Sequence, residues 1–183
     1  AEPRADSCAA FEAEFGGKTF RDVEALCADP EVEAVYIATP HEFHSDHVIS
    51  AARAGKHVLV DKPLSISLHH GALMVAAARS AGVQLIVGPS HSFDGPVKLA
   101  HEIIESGEFG PLRMIQAQNY TDFLYRPRRP EELRTETGGG IIFSQAVHQI
   151  DVVRLLGGGK ATRVTAMTGN WDAKRPTEGA YSA

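Results

Sequence analysis

Short apolar runs alternate with helical patterns through the first half of the chain. The runs at residues 34–38, 58–60 and 83–87 are rich in valine, isoleucine and leucine and are followed within two residues by proline or a charged residue. Such runs predict buried strands. Helical patterns at 44–54 and 66–81 separate them, and each is followed by a glycine. Strands separated by helices of this length predict βαβ units and a parallel sheet.

Two further helices are predicted upstream, over residues 6–15 and 20–26. After residue 95 the pattern changes to single helices and to strands with alternating polar and apolar positions. The predicted elements are helix 97–105, strand 112–120, a charged loop at 126–137, helix 141–156 and strand 163–168. This order predicts a second, α+β domain that begins near residue 111.

Composition and charge exclude several function classes. The 183 residues carry a net charge of −5, and the main basic cluster is Arg126-Pro127-Arg128-Arg129, which argues against nucleic acid as a partner. No apolar stretch approaches the length of a membrane span. Without an export signal, Cys8 and Cys27 are expected to be reduced thiols in a cytoplasmic protein. The chain starts without methionine and ends without a helix stop, so we expect a fragment.

The tripeptide Asp61-Lys62-Pro63 follows the strand at 58–60 directly. Proline lacks a backbone donor and pushes its neighbour out of the helical region, so the strand ends here. Ligands bind at the carboxyl edge of open parallel sheets, and a lysine there can move protons. A surface turn with an ion pair is the alternative, and the tripeptide alone does not choose between them.

Three histidines, His41, His44 and His47, repeat at every third position near the start of a predicted helix. Imidazoles one turn apart can share a metal ion. No cysteine or carboxylate completes a ligand set, however, so we predict no metal site. Helix capping and surface exposure account for His41 and His47, and a metal-dependent hydrolase is a minor alternative that rests on these histidines alone.

The helix after Gly138-Gly139-Gly140 carries Ser144, His148 and Asp151 on one face, at spacings of four and three. A histidine with a carboxylate one turn away is a plausible acid or base. A satisfied surface histidine near a helix–helix contact is the alternative. If Lys62 belongs to a ligand site and His148 acts as an acid or base, the two residues would meet in an interdomain cleft, where small-molecule sites tend to lie.

Taken in order, the run from Lys56 to Pro63, the Ala38-Thr39-Pro40…His44 turn and the Gly138–Gly140…His148…Asp151 segment resemble the Gfo/Idh/MocA family of nicotinamide-dependent oxidoreductases. The resemblance implies an α/β fold, with a partial Rossmann doubly wound parallel sheet at residues 1–110 that lacks its first glycine-rich βαβ unit. It further implies that residues 111–183 begin an α+β domain with a mostly antiparallel sheet. That sheet would form the interface of a homo-oligomer, which would be a dimer or a tetramer.

The resemblance also assigns residues position by position. Lys62 would be a catalytic lysine that touches the nicotinamide ribose and the substrate oxygen, in a Lys-Pro bond that tends to be cis, and His148 the general base. The cofactor would be lined by Glu2, Ala38, Thr39, Pro40, His44, Asp61, Lys62 and Pro63. Glu2 would bind the adenosine ribose, which favours NAD over NADP, although NADP stays open. Ser144 replaces the aspartate of sugar-oxidising relatives, so it is open whether Lys62 and His148 suffice.

The segments around Ser90-His91-Ser92-Phe93 and Tyr125–Leu133 resemble phthalate dihydrodiol dehydrogenases, which oxidise a carboxylated cyclic cis-diol to a catechol. The resemblance implies a substrate site of His91, Arg126, Ser144 and His148, since arginine grips carboxylates well. A solvated arginine loop is the alternative. We expect an NAD(P)-dependent oxidoreductase of a cyclic diol or polyol, with sugar or inositol as other substrates. The alternative function is a non-enzymatic, nucleotide-binding sensor.

Overall fold

A computed structural model describes all residues from 1 to 183, and the chain divides into two compact units, Ala1–Val87 and Gly88–Ala183. The first unit is built on a three-stranded parallel sheet of β1 (Ala34–Ile37), β2 (His57–Val60) and β3 (Leu85–Val87), with β2 in the centre. Val35 pairs with Val58, and Val60 pairs with Val87. The predicted strands and their parallel arrangement are therefore confirmed.

Four helices belong to the first unit: α1 (Ala5–Phe15), α2 (Val23–Ala28), α3 (His44–Arg53) and α4 (Leu68–Ala81). Two of them begin later than the sequence pattern predicts, because side chains cap them. The Asp22 carboxylate accepts a hydrogen bond from the Ala25 N–H at 2.7 Å, so α2 begins at Val23 rather than at residue 20. The Ser67 hydroxyl accepts from the His70 N–H, so α4 begins at Leu68.

One face of the sheet forms the core of the first unit. The side chains that meet there come from β1, β2, α3 and α4, and they are Val35, Ile37, Val58, Val60, Val48, Ala51 and Met74. On the opposite face, Tyr36, Leu59 and Ile86 form one exposed row across the three strands. Burial of alternate side chains fixes the register of each strand. The turns after Ile37 and Val60 are therefore held at the same edge of the sheet.

The second unit contains α5 (Gly95–Ser106) and α6 (Val147–Gly157), and a π-helical turn at Ile142–Ala146 leads into α6. A short antiparallel pair is formed by β4 (Met167–Gly169) and β5 (Ala180–Ser182). Four 3₁₀ turns complete the unit: His91–Phe93, Phe123–Tyr125, Pro130–Leu133 and Thr135–Thr137. Phe123, Leu124 and Ile141 form its buried cluster.

The structure corrects the predictions for this second unit. The prediction of a strand at residues 112–120 is wrong. Residues 111–122 form neither helix nor strand, and no neighbouring strand forms hydrogen bonds with them. The strand predicted at 163–168 is reduced to β4, and its partner β5 was not predicted. The two compact units divide after Val87, because the turn His91–Phe93 and α5 pack on α6, and the domain boundary expected at 110/111 stays a prediction. No helix combines the length and apolar character that a membrane crossing requires.

Candidate active-site residues

The Asp61-Lys62-Pro63 turn continues the sheet by one hydrogen bond and then leaves it. The Asp61 N–H donates to the Ile37 carbonyl oxygen at 2.8 Å. The Asp61 carboxylate accepts from the Lys62 N–H, also at 2.8 Å, which fixes the carboxylate against the turn. The Lys62–Pro63 peptide is cis, as the family resemblance implies. Lys62 is half-buried at the carboxyl end of the central strand.

The neighbouring turn, after β1, carries the other residues expected at the cofactor. Ala38 is exposed, whereas Thr39 and Pro40 are half-buried before the turn His41–Phe43. The Thr39 hydroxyl lies 3.1 Å from Nδ1 of His47, whose ring stacks on Phe43. Burial lowers the pKa of His47 below its ordinary value. A neutral imidazole therefore accompanies the Thr39 hydroxyl at this edge.

His44 is fully buried between these two turns. Its Nδ1 lies 2.9 Å from the Pro63 carbonyl oxygen, and its Nε2 lies 2.9 Å from the Thr39 carbonyl oxygen. Both polar atoms of the ring are thus engaged with the protein's own backbone. No three histidine, cysteine, aspartate or glutamate side chains come together as a metal-ligand set. The role that this geometry gives to His44 is to join the two turns that carry Thr39 and Lys62.

Glu2 lies close to the start of the chain and pairs with Arg4. The Glu2 carboxylate accepts from the Arg4 N–H at 3.0 Å and from its Nε at 2.8 Å. These hydrogen bonds lower the pKa of Glu2, so the side chain is a carboxylate at neutral pH. The Glu2 N–H donates to the Phe20 carbonyl oxygen at 2.9 Å. The Glu2 carboxylate and the Arg4 guanidinium therefore lie side by side near the start of the chain.

In the second unit, His148 lies in the first turn of α6 and is 7% exposed. Ser144 is also buried, one turn earlier, in the π-helical turn. The ring of His91 stacks on the ring of His148, with centroids 4.0 Å apart and planes inclined by 18°. The structure therefore groups three of the residues expected at the substrate, all within Gly88–Ala183.

The glycine run before α6 is explained by close backbone contacts. A Cβ atom at Gly139 would lie 2.5 Å from the Glu132 carbonyl oxygen, and Gly140 has φ of +81°. The Glu178 carboxylate accepts from the Ile142 N–H at 3.1 Å and from the Thr135 hydroxyl at 2.6 Å. Sequence reasoning missed Glu178, because these contacts join residues far apart in the chain. They fix the start of the segment that carries Ser144 and His148.

The arginine segment is already paired within the chain. The Arg126 Nε donates to the Asp122 carboxylate at 2.7 Å, and this hydrogen bond lowers the pKa of Asp122. The Arg128 guanidinium lies 3.9 Å from the Phe123 ring centroid, and its Nε donates to the Phe123 carbonyl oxygen. Arg129 pairs with Glu132. Arg126 is exposed, whereas the Arg128 guanidinium is held against Phe123.

The residues of the first unit suit a nicotinamide dinucleotide. The turns after β1 and β2 open at the carboxyl edge of a parallel sheet, where such cofactors bind. Glu2 supplies a carboxylate of the kind that accepts hydrogen bonds from ribose hydroxyls. The glycine-rich turn that holds the pyrophosphate in such folds is not among these 183 residues. Residues 38–40 and 61–63 can therefore line the nicotinamide half of the cofactor.

Comparison with known proteins gives two family matches that cover most of the chain. Residues 1–89 match the Gfo/Idh/MocA oxidoreductase family model described as an NAD-binding Rossmann fold. Residues 97–183 match the C-terminal domain model of the same family. The two matches follow one another in the order that the sequence motifs predicted.

Individual relatives agree with these matches. The 1-carboxy-3-chloro-3,4-dihydroxycyclohexa-1,5-diene dehydrogenase of Comamonas testosteroni is 55% identical over 174 residues, which are 94% of this chain and 44% of the relative. A solved structure from Bordetella bronchiseptica RB50, named as a dehydrogenase, has a TM-score of 0.93 and 45% identity over 98% of this chain and 47% of its own.

A third relative was solved with its cofactor. The WlbA dehydrogenase of Bordetella pertussis, in complex with NADH and UDP-GlcNAcA, has a TM-score of 0.81 and 27% identity over 98% of this chain and 52% of its own. The chain spans about half the length of the relatives that it matches.

Proposed function

Since the chain belongs to the Gfo/Idh/MocA family of oxidoreductases, we propose that the full-length protein is an NAD-dependent dehydrogenase of a carboxylated cyclic cis-dihydrodiol. The observation that carries this proposal is the 55% identity to a dehydrogenase whose name describes a carboxylated, dihydroxylated cyclohexadiene. The segments around His91 and Arg126 resemble dehydrogenases of the same substrate class.

The proposed reaction removes two hydrogens from one carbinol group. A bound nicotinamide would supply the acceptor for the hydride that leaves the carbinol carbon. His148 takes the hydroxyl proton, and the carbon–oxygen bond becomes a carbonyl. Lys62 stabilises the negative charge that develops on the oxygen. The alcohol is oxidised by two electrons, and the ring product then rearranges to the catechol without a further oxidant.

Support for these roles comes from each unit separately. Lys62 lies at the carboxyl edge of the sheet in a turn fixed by Asp61 and by the Pro63 contact to His44. His148 is buried near the start of α6, where a ring is shielded from bulk water. A buried, oriented imidazole is suited to general base catalysis, which typically contributes about 10²- to 10⁴-fold to rate.

Arg126 is our candidate for the substrate carboxylate. Its guanidinium is exposed and pairs with Asp122 at the surface, and exposed ion pairs of this kind are worth little. A substrate carboxylate can therefore share or replace Asp122 at small cost and form a bidentate contact. Arg128 is excluded from this role by its stacking on Phe123 and its bond to the Phe123 carbonyl oxygen.

The test is turnover by the full-length protein with NAD, followed by the absorbance of the reduced nicotinamide. The substrates are a cis-dihydrodiol with a ring carboxylate, the same diol without it, and inositol. We expect the carboxylated diol to have the highest kcat/KM. Tight NAD binding without reduction by any of the three would contradict the proposal and favour a nucleotide-binding sensor, the function that the serine at position 144 leaves open.

Variants then locate the carboxylate contact. Arg126→Ala is expected to raise KM at least about tenfold for the carboxylated diol and to leave the uncarboxylated diol unchanged, because one charged contact is lost. Arg163→Ala, an exposed arginine elsewhere in the second unit, is the matched control and should change neither value. Equal effects of Arg126→Ala on both diols would remove Arg126 from the substrate site.

A further inference from the structure

The two stacked imidazoles of the second unit lie in different elements. His91 belongs to the 3₁₀ turn His91–Phe93, whereas His148 belongs to α6. Their ring centroids are 4.0 Å apart and their planes are inclined by 18°, so the rings lie face to face. His148 is buried and His91 is half-buried. The turn packs directly on α6, so tertiary packing sets the relation of the two rings.

A stacked neighbour restricts how the ring of His148 can turn. The last torsion of a histidine side chain is broad and has no sharp staggered minima when nothing packs against the ring. With the His91 ring 4.0 Å away, rotation would drive the edge of His148 into the face of His91. Stacking covers one face of His148 and leaves its nitrogens at the ring edge, where they can still exchange a proton. The contact therefore selects an orientation without blocking the chemistry.

We propose that His91 is a positioning residue that holds the ring of His148 in the orientation that a general base needs. The inference rests on the proposed function, since it takes His148 as the group that removes the hydroxyl proton. It differs from the substrate contact expected for His91 from the sequence. In this role His91 acts through the ring of His148 and makes no bond to the substrate.

The role depends on an aromatic face and not on a hydrogen bond from His91. After proton transfer His148 is a cation, and the face of a phenylalanine ring tolerates an adjacent cation. Phenylalanine offers a face of similar size but no ring nitrogen, so it can replace His91 as a stacking partner. Leucine fills similar space without a flat face. These two substitutions therefore separate stacking from direct substrate binding.

The experiment compares His91→Phe and His91→Leu in the full-length protein, with NAD and the carboxylated diol. We expect His91→Leu to lower kcat about tenfold to 100-fold with KM within about threefold, because misorientation of a catalytic group by about 1 Å can cost about 100-fold. We expect His91→Phe to keep kcat within about threefold of the unsubstituted protein. His69→Leu, at an exposed histidine that also contacts a second histidine ring, is the matched control and should have no effect.

Two results would overturn the inference. If His91→Phe loses as much kcat as His91→Leu, or raises KM about tenfold, then His91 binds the substrate directly. If His91→Leu keeps normal kcat, the stack has no role in turnover. Should His91→Leu fail to fold, as judged by thermal unfolding, His91→Ala takes its place, with the same expected loss of kcat. His148→Gln separates the two proposals, because normal turnover in that variant would reject His148 as the base whatever His91 does.

Discussion

Nδ1 of His44 lies 2.9 Å from the carbonyl oxygen of Pro63, the residue that follows Lys62. The other ring nitrogen, Nε2, lies 2.9 Å from the carbonyl oxygen of Thr39. One fully buried side chain thus joins the ends of β1 and β2. The position of the candidate catalytic lysine depends on this contact, although His44 itself has no polar atom directed to a ligand.

Replacing His44 should therefore loosen both turns. In His44→Phe the ring volume is kept, but the Pro63 and Thr39 carbonyl oxygens both lose the ring nitrogen that faces them, and the one N–H of the neutral imidazole no longer donates to either. We expect the free energy of unfolding in urea to fall by about 1–3 kcal/mol, the cost of one unmade buried hydrogen bond, and kcat to fall with it. His70→Phe, at an exposed position, is the control. Unchanged stability in His44→Phe would show that neither contact matters.

Lys62 is expected to act in the chemical step rather than in cofactor binding. In Lys62→Ala the charge that stabilises the developing oxyanion is gone, so kcat should fall by about 10²- to 10⁴-fold. The dissociation constant of NAD, measured by fluorescence titration, should stay within about tenfold. Lys98→Ala removes an exposed lysine from α5 and should be neutral. Near-normal turnover of Lys62→Ala would remove Lys62 from the mechanism.

The Glu2–Arg4 pair should decide between NAD and NADP. The Glu2 carboxylate repels the 2′-phosphate of NADP. It also forms an ion pair with Arg4, with 2.8 Å between Arg4 Nε and Glu2 Oε1. In Glu2→Ala the arginine can pair with the phosphate instead. We expect the ratio of kcat/KM for NADP to that for NAD to rise at least about tenfold. Adding Arg4→Ala should abolish the gain, and a ratio that does not respond to Glu2→Ala would place the ribose elsewhere.

His47 should make stability depend on pH. Burial lowers its pKa below the ordinary value of 6.5, with smaller opposing effects from Glu24 and Asp46. The unfolded chain therefore takes up the proton first as pH falls, so the contribution of neutral His47 is present above about pH 6.5 and is lost below it. We expect the free energy of unfolding, measured in urea from pH 8 to pH 5, to fall less steeply in His47→Gln. The prediction is contradicted if the free energy of unfolding depends on pH equally in the unsubstituted protein and in His47→Gln.

The strands and the Lys62 turn could be predicted from local pattern. A short apolar run that is followed within three residues by a charge or a proline is a local signal, and β1, β2 and β3 all follow it. The Gfo/Idh/MocA family assignment likewise came from short motifs in order, and the family matches confirm it. Where a strand needs a partner, the pattern failed: residues 112–120 alternate correctly but pair with nothing.

The strands, the lysine that follows the central strand and the family could be predicted from sequence, because apolar runs and short motifs are local signals. Three contacts became visible in the folded chain alone: His44 joins two turns, Glu178 fixes the start of the segment leading into α6, and His91 stacks on His148. These contacts join residues 19 and 36 positions apart in the first two cases. Such pairs leave no periodic signal, because packing and not local propensity brings them together.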